Sequence, residues 1–237
     1  MANPSDKRST RPELDDGPGE AARLNREEWG RRDVLSLALI GPPGAGKSLL
    51  IEETCRQLCP HYRLAVVVAN PAAFRDSARI RRHCAQVAAV CTSVPTAAHV
   101  RQALGKIENP VYDLLLIESM GGISAAPDFG QEATVAVLAV SGGDDKAVEY
   151  AGLVNNAELV LLTKSDLRGH VHFDAAVFHA DIESIHPSLP VLEVSAFAQS
   201  GLEKWIEWID NRLGQRVVAP PLASEPAHPP AEKLFLG

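Results

Sequence analysis

Gly41-Pro42-Pro43-Gly44-Ala45-Gly46-Lys47-Ser48 decides how the rest of the chain is read. It follows Val34-Leu35-Ser36-Leu37-Ala38-Leu39-Ile40, an apolar run that reads as a buried strand, and it opens a helical pattern beginning near Lys47. Glycines at such a bend let the backbone curl until several N–H groups point inward at phosphate oxygens. The helix that follows offers its positive end to the same anion. The spacing G-x-x-x-x-G-K-S is that of a phosphate-binding loop, in which the lysine reaches the β- and γ-phosphates and the serine hydroxyl ligates Mg²⁺. Gly41, Gly44, Ala45, Gly46, Lys47, Ser48 and Leu49 are the expected phosphate-side residues, with Lys47 also a catalytic group.

Composition sets the frame. A chain of 237 residues suits one α/β domain with tails, and 46% hydrophobic residues can build a sizeable core. A net charge of −7 argues against a general nucleic-acid binder, which needs an excess of Lys and Arg. No apolar run reaches the roughly 18 residues of a membrane span. The opening Met1-Ala2-Asn3-Pro4-Ser5-Asp6-Lys7 lacks the apolar core of a secretory signal. Four cysteines in a chain this long do not make a disulfide framework, so a cytoplasmic protein with reduced thiols is expected. Residues 1–20 are polar and rich in Pro, Gly and charge, and are expected to be disordered. A phosphate-loop domain is expected over 21–215, and the Pro- and Ala-rich stretch 216–237, ending in Leu234-Phe235-Leu236, is expected to be a flexible tail.

Working outward from the loop, Leu64-Ala65-Val66-Val67-Val68-Ala69 is apolar at every position, which suits a parallel strand covered on both faces. An antiparallel edge strand, as in small Ras-like GTPases, would alternate. Leu114–Ile117, Val135–Val140, Leu159–Leu162 and Pro190–Val194 read as further strands. The expected fold is α/β, a P-loop NTPase with a mostly parallel sheet covered by helices on both faces. Ligands in such sheets bind outside the carboxyl ends of the strands, and three motifs fall there. Glu118-Ser119-Met120-Gly121 offers a carboxylate for Mg²⁺-bound water and a glycine N–H to sense a γ-phosphate. Thr163-Lys164-Ser165-Asp166 offers an aspartate that can accept from both N1–H and the 2-amino group of guanine, a donor pair adenine lacks; Lys164 can lie along the base. Ser195-Ala196 offers a backbone N–H to the guanine oxygen. Elsewhere the plainer readings are preferred. Cys55 and Cys59 are four apart on one helix face and read as small buried side chains; Arg75, Arg79, Arg81 and Arg82 read as a solvated face, His170 and His172 as solvated loop residues, and Trp205 with Trp208 as packing.

Together these motifs resemble the HypB family, the nickel-incorporation GTPases of [NiFe]-hydrogenase maturation, and less closely UreG of urease maturation. The similarity runs from about Arg23 to Leu213. It rests on Asn25-Arg26 through Trp29, the phosphate loop, Glu118 to Gly121, Asp128-Phe129-Gly130, Gly143-Asp144-Asp145-Lys146, Thr163 to Leu167, and Val194-Ser195-Ala196 with Ser200-Gly201-Leu202. It implies a metallochaperone-type accessory protein that binds and hydrolyses GTP with Mg²⁺. It also implies a nickel-binding accessory protein and the hydrogenase large subunit as partners, and a GTP-dependent homodimer. The departures matter as much. Asn70 stands where the family pattern has a switch aspartate of the Mg²⁺ shell, and Ala73 stands where it has threonine; Asp76, Arg79 and Ile80 follow the pattern. Asn70 is therefore counted with Lys47, Glu118 and Gly121 among the catalytic positions, and slow turnover is expected. The family's interface Cys–His metal pair falls near Val94-Pro95, which cannot ligate a metal; Cys91 and His99 are the nearest substitutes for a nickel or zinc site. Two alternatives stay open: a nucleotide-switched binding module with little hydrolysis, and a urease-type metal-insertion GTPase.

Overall fold

The computed structural model describes residues 19–70, 73–83, 85–121 and 126–216, so the expected N-terminal segment and C-terminal tail lie almost wholly outside the described residues. Helix α1 (Glu20–Arg31) leads into β1 (Leu35–Gly41), the phosphate loop and α2 (Lys47–Leu58). Then come β2 (Leu64–Ala69), α3 (Ala73–Ile80), β3 (Gln86–Val90), α4 (Ala97–Leu104) and β4 (Leu114–Met120). The second half holds β5 (Ala133–Ala139), α5 (Lys146–Glu149), α6 (Ala151–Asn155), β6 (Leu159–Thr163), α7 (Ala175–Ile185), β7 (Val191–Glu193) and α8 (Leu202–Leu213).

The seven strands form one sheet in the order β3-β2-β4-β1-β5-β6-β7, with every pairing parallel. Every residue of β1, β2, β5 and β6 is buried, as continuous apolar runs require when helices cover both faces. Alternate side chains feed two cores. Ala38, Ile40, Val67, Ile117, Leu138 and Leu162 pack with Trp29, Phe129 and Phe178 on one face. Leu37, Leu39, Val66, Leu116 and Val137 pack with Leu50, Ile51, Trp205 and Ile209 on the other. The chain first builds outward from β1 through β2 and β3, returns to β4, and then crosses to β5 on the far side. The order thus reverses at β1, and the carboxyl end of β1 is the switch point where ligands bind in such sheets.

Helix α1 is pinned by residues from two of the stretches that carry the family resemblance. The Asn25 side chain, 1% exposed, donates to Phe129 O at 2.9 Å and Ala97 O at 3.1 Å. Arg26 pairs with Asp128 at 2.8 Å. Gly130 has φ +90°, and a Cβ there would lie 2.4 Å from Ala22 O, so α1 closes directly over a bare backbone. On the opposite face, Trp205 Nε1 donates to Thr54 Oγ1 at 2.9 Å and stacks on Trp208 at 5.5 Å, the packing role expected of that pair.

Two expectations are corrected. Cys59 is disulfide-bonded, so the thiols are not all reduced; cysteine number excludes a disulfide framework but not a single bridge. Cys55 is a free, buried thiol pushed up to about 12 by burial. Arg79 is only in part the solvated residue expected: its side chain is 43% exposed but pairs with Glu52, while Arg75, Arg81 and Arg82 are exposed. Among the described residues no helix is long and apolar enough to cross a membrane.

Candidate nucleotide site

The site grows from the end of β1. Gly41 runs so close to β5 that a Cβ would sit 2.0 Å from Val137 O, which no larger residue could occupy. Gly44 and Gly46 adopt φ of +76° and +84°, the left-handed conformation that glycine takes at no steric cost and that curls the loop. Lys47 is 5% exposed and donates from Nζ to Gly41 O at 2.9 Å and Pro42 O at 2.8 Å. Burial lowers its pKa to about 8, opposed by the charges of Glu118 and Asp76.

Strand pairing sets Glu118 beside Leu39 of β1 and Val68 of β2, which carries its carboxylate to the first turn of α2. Ser48 Oγ donates to Glu118 Oε1 at 2.7 Å. Glu118 is 3% exposed, and its Oε2 is buried with no hydrogen-bond partner among the described residues. Burial raises the Glu118 pKa, while the Ser48 hydrogen bond and Lys47 pull it down. An orphaned buried carboxylate oxygen beside a serine hydroxyl is a donor set that fits a hard divalent cation such as Mg²⁺. Gly121 N donates to Gly41 O at 3.2 Å, so this amide already touches the phosphate loop; a Cβ there would meet Ile40 Cγ2 at 2.8 Å.

Gly46, Lys47, Ser48 and Glu118 line a cavity of about 550 Å³ that also receives Pro43, Gly44, Asn70, Asp76 and Arg79, with Met120 rather than Gly121 on its wall. Asn70 thus lies on the same cavity as Lys47 and Glu118. Asp76 and Arg79, both delivered by α3, line it as well without having been counted among the site residues; their signal was the agreement of that stretch with the family pattern. A second cavity of about 310 Å³ is lined by Thr163, Lys164, Asp166, Ser195, Ala196 and Phe197. Gly46, Leu49 and Lys164 border both cavities, so the two adjoin past the loop. Of the residues expected at a nucleotide, Gly44, Gly46, Lys47, Ser48, Leu49, Asn70, Glu118, Lys164, Asp166, Ser195 and Ala196 line one or both of these cavities, and Gly41, Ala45 and Gly121 line neither. A groove of about 610 Å³ along the β3 edge gathers none of them.

The base-side residues are held by specific bonds. Thr163 Oγ1 donates to Ala45 O at 2.6 Å, which ties β6 to the phosphate loop. Lys164 sits at φ 55°, a strained conformation of the kind that collects at ligand sites. Ser195 Oγ donates to Asp166 Oδ1 at 2.5 Å. The Ser195 N–H is engaged with Ser200 O at 2.8 Å, so of the expected pair it is Ala196 whose amide lies next along the cavity wall.

The transition-metal candidates are not drawn into a cluster. Cys91 is a free, exposed thiol, and His99 caps α4, its Nδ1 accepting from Thr96 N at 3.2 Å. Among the described residues no group of three or more His, Cys, Asp or Glu side chains converges as a metal site. His170 and His172 are exposed.

Comparison with known proteins points the same way. The family described as CobW/HypB/UreG, nucleotide-binding domain, matches residues 35–193. The chain is 33% identical over 205 residues to hydrogenase maturation factor HypB of Azotobacter chroococcum, covering 84% of this chain and 67% of that protein. It is 30% identical over 204 residues to the urease accessory protein UreG of Streptomyces coelicolor, covering 79% of this chain and 90% of the relative. The crystal structure of HypB from Archaeoglobus fulgidus superposes with a TM-score of 0.75 at 26% identity, covering 83% of this chain and 98% of that one. HypB from Helicobacter pylori in complex with nickel gives the same TM-score at 20% identity, covering 82% and 94%, a likeness of fold.

Proposed function

We propose, on the premise that this chain belongs to the CobW/HypB/UreG nucleotide-binding domain family, that it binds Mg²⁺·GTP at the carboxyl end of its sheet and hydrolyses it slowly in the service of metalloenzyme maturation. The observation that carries this reading is that two differently equipped cavities lie side by side and share Gly46, Leu49 and Lys164 as walls. One holds Lys47, Ser48 and the half-satisfied Glu118; the other holds Asp166. A purine nucleoside triphosphate has that same division into an anionic end and a hydrogen-bonding base.

Each residue has a role that its chemistry supports. The loop amides and Lys47 bind the phosphates. Ser48 and Glu118 would hold Mg²⁺, which when bound neutralises charge on the β- and γ-phosphates. Gly121 exchanges its contact with Gly41 O for the γ-phosphate and so senses the nucleotide state. Asp166 reads guanine. Phosphoryl transfer asks for positioning and charge stabilisation rather than covalent chemistry, and Asn70 supplies a neutral amide where a carboxylate would orient water or metal. That substitution makes turnover slow and leaves room for a nucleotide switch. The likeness to HypB supports a hydrogenase client, a nickel-binding accessory protein, a GTP-dependent homodimer and a cytoplasmic setting. The likeness to UreG supports a urease-type client as the second reading.

Calorimetry with GTP and ATP tests the core of the proposal. GTP should bind tightly in the presence of Mg²⁺ and ATP weakly, and Asp166→Asn should weaken GTP several-fold by removing a charge-assisted acceptor. Equal affinity for the two nucleotides in the wild type would sink the guanine reading. Lys47→Ala should abolish phosphate release.

A further inference from the structure

Among the described residues Phe197 is the most exposed large apolar side chain, at 84%, and it lines the cavity that holds Asp166. A single exposed apolar residue needs no explanation by itself. This one differs in how firmly it is held. Ser195 and Ser200 exchange backbone hydrogen bonds at 2.8 and 3.1 Å, closing residues 196–199 into a tight loop. Inside it, Ala198 N donates to Ser195 Oγ at 3.0 Å, and Gln199 turns at φ 55°. Just beyond, Gly201 sits at φ +72°, where a Cβ would lie 2.1 Å from Glu193 O. The loop that carries Phe197 is therefore fixed at both ends and braced within, yet the ring it presents is not packed into the core. The hydroxyl that braces the loop is the same one that donates to Asp166 at 2.5 Å. One serine thus sets the position of the exposed ring and of the carboxylate together.

We propose that Phe197 is a stacking platform for the nucleobase, resting on the guanine-site reading above: its ring lies on the flat face of a bound purine while Asp166 reads the edge. The two groups would divide the work. Stacking is tolerant of base identity because every base has a π-face, whereas hydrogen bonding to the 2-amino group is not. The cavity's other apolar residues, Leu49, Leu50 and Leu167, give a base an apolar site in which such a stack excludes water.

The test is calorimetric titration of the full chain with GDP and with inosine diphosphate, which lacks the 2-amino group. Phe197→Ala should weaken both nucleotides by about five- to 150-fold, the span of an aromatic–base stack, and leave their ratio unchanged. Phe197→Tyr should stay within about twofold of wild type, and Phe197→Leu should resemble the alanine variant, because it is apolar but not flat. Asp166→Asn should instead compress the GDP-to-inosine ratio. If Phe197→Ala binds GDP within twofold of wild type while Asp166→Asn is weakened, the stack is wrong and the guanine site stands. A leucine variant equal to wild type, or a tyrosine variant as weak as alanine, also overturns the stack. If the wild type binds neither nucleotide, the guanine reading fails and the stack with it.

Discussion

Lys47 holds its ammonium against two loop carbonyls, and burial has lowered its pKa from 10.5 to about 8. At pH 7 about 90% of the lysine carries its charge, and at pH 9 about 10% does. Binding of phosphate needs the charged form, so GDP affinity should fall about tenfold between pH 7 and pH 9. Stability of the nucleotide-free protein moves the other way. A base whose pKa is lower in the folded state leaves the unfolded chain with more protons between pH 8 and 10.5, and stability then rises with pH across that window. Calorimetry and denaturant titration at both pH values separate the two trends; an affinity flat from pH 7 to 9 would remove Lys47 from the phosphate site. Glu118→Gln provides a second check. It keeps shape but removes a charge that burial disfavours, so the apo protein should melt no lower than wild type. The Mg²⁺-dependent gain in GTP affinity should shrink by at least about tenfold, the scale on which metal-shell substitutions act. At this scale the sequence was most legible where spacing forces a position, as at Lys47, Ser48, Glu118 and Asp166, all of which line the two cavities. It was least legible where a role depends on what folds nearby. The Ser195 hydroxyl braces Asp166 only because the loop after β7 turns back, and Arg79 faces the phosphate cavity only because α3 lies against α2.

The strands of the sheet were readable because burial on both faces leaves largely apolar runs, and the observed bounds differ from the expected ones by at most three residues, the most in β4, which runs on past Ile117 through polar Glu118 and Ser119 to Met120. Helix α1 was harder. Its amphipathic pattern announces a helix but not its dock, since the partners of Asn25 lie 72 and 104 residues away. Asn25→Ala should leave the carbonyls of Phe129 and Ala97 without their donor at a cost of about 1–3 kcal/mol. In a domain of this size that lowers the melting temperature by about 3–10 °C. None of these three residues borders either nucleotide cavity, so GDP affinity should stay within about twofold. A loss of affinity as large as the loss of stability would place α1 in the site's own machinery.

Across the whole molecule, nucleotide and transition-metal chemistry make opposite demands on a fold. A parallel sheet that reverses at β1 collects its strand-end motifs at one place by topology alone, so motifs far apart in the chain meet there. A nickel or zinc site instead needs several N or S ligands converging within bonding distance, and residues near in sequence need not converge. Val94, at a position where the family pattern carries a metal ligand, is apolar and 72% exposed. His99 spends Nδ1 on the Thr96 amide, and Cys91 stands as an exposed thiol. The isolated protein should therefore bind Ni²⁺ or Zn²⁺ no tighter than micromolar, and Cys91→Ala with His99→Ala should change that little. A non-hydrolysable GTP analogue should not tighten the metal if the partner surface carries no ligand pair. Equilibrium dialysis with and without the analogue decides the matter. Stoichiometric sub-micromolar binding that appears only with the analogue, and vanishes in the double variant, would mean that two copies of the chain complete the site and that Cys91 and His99 have taken over the missing pair's work.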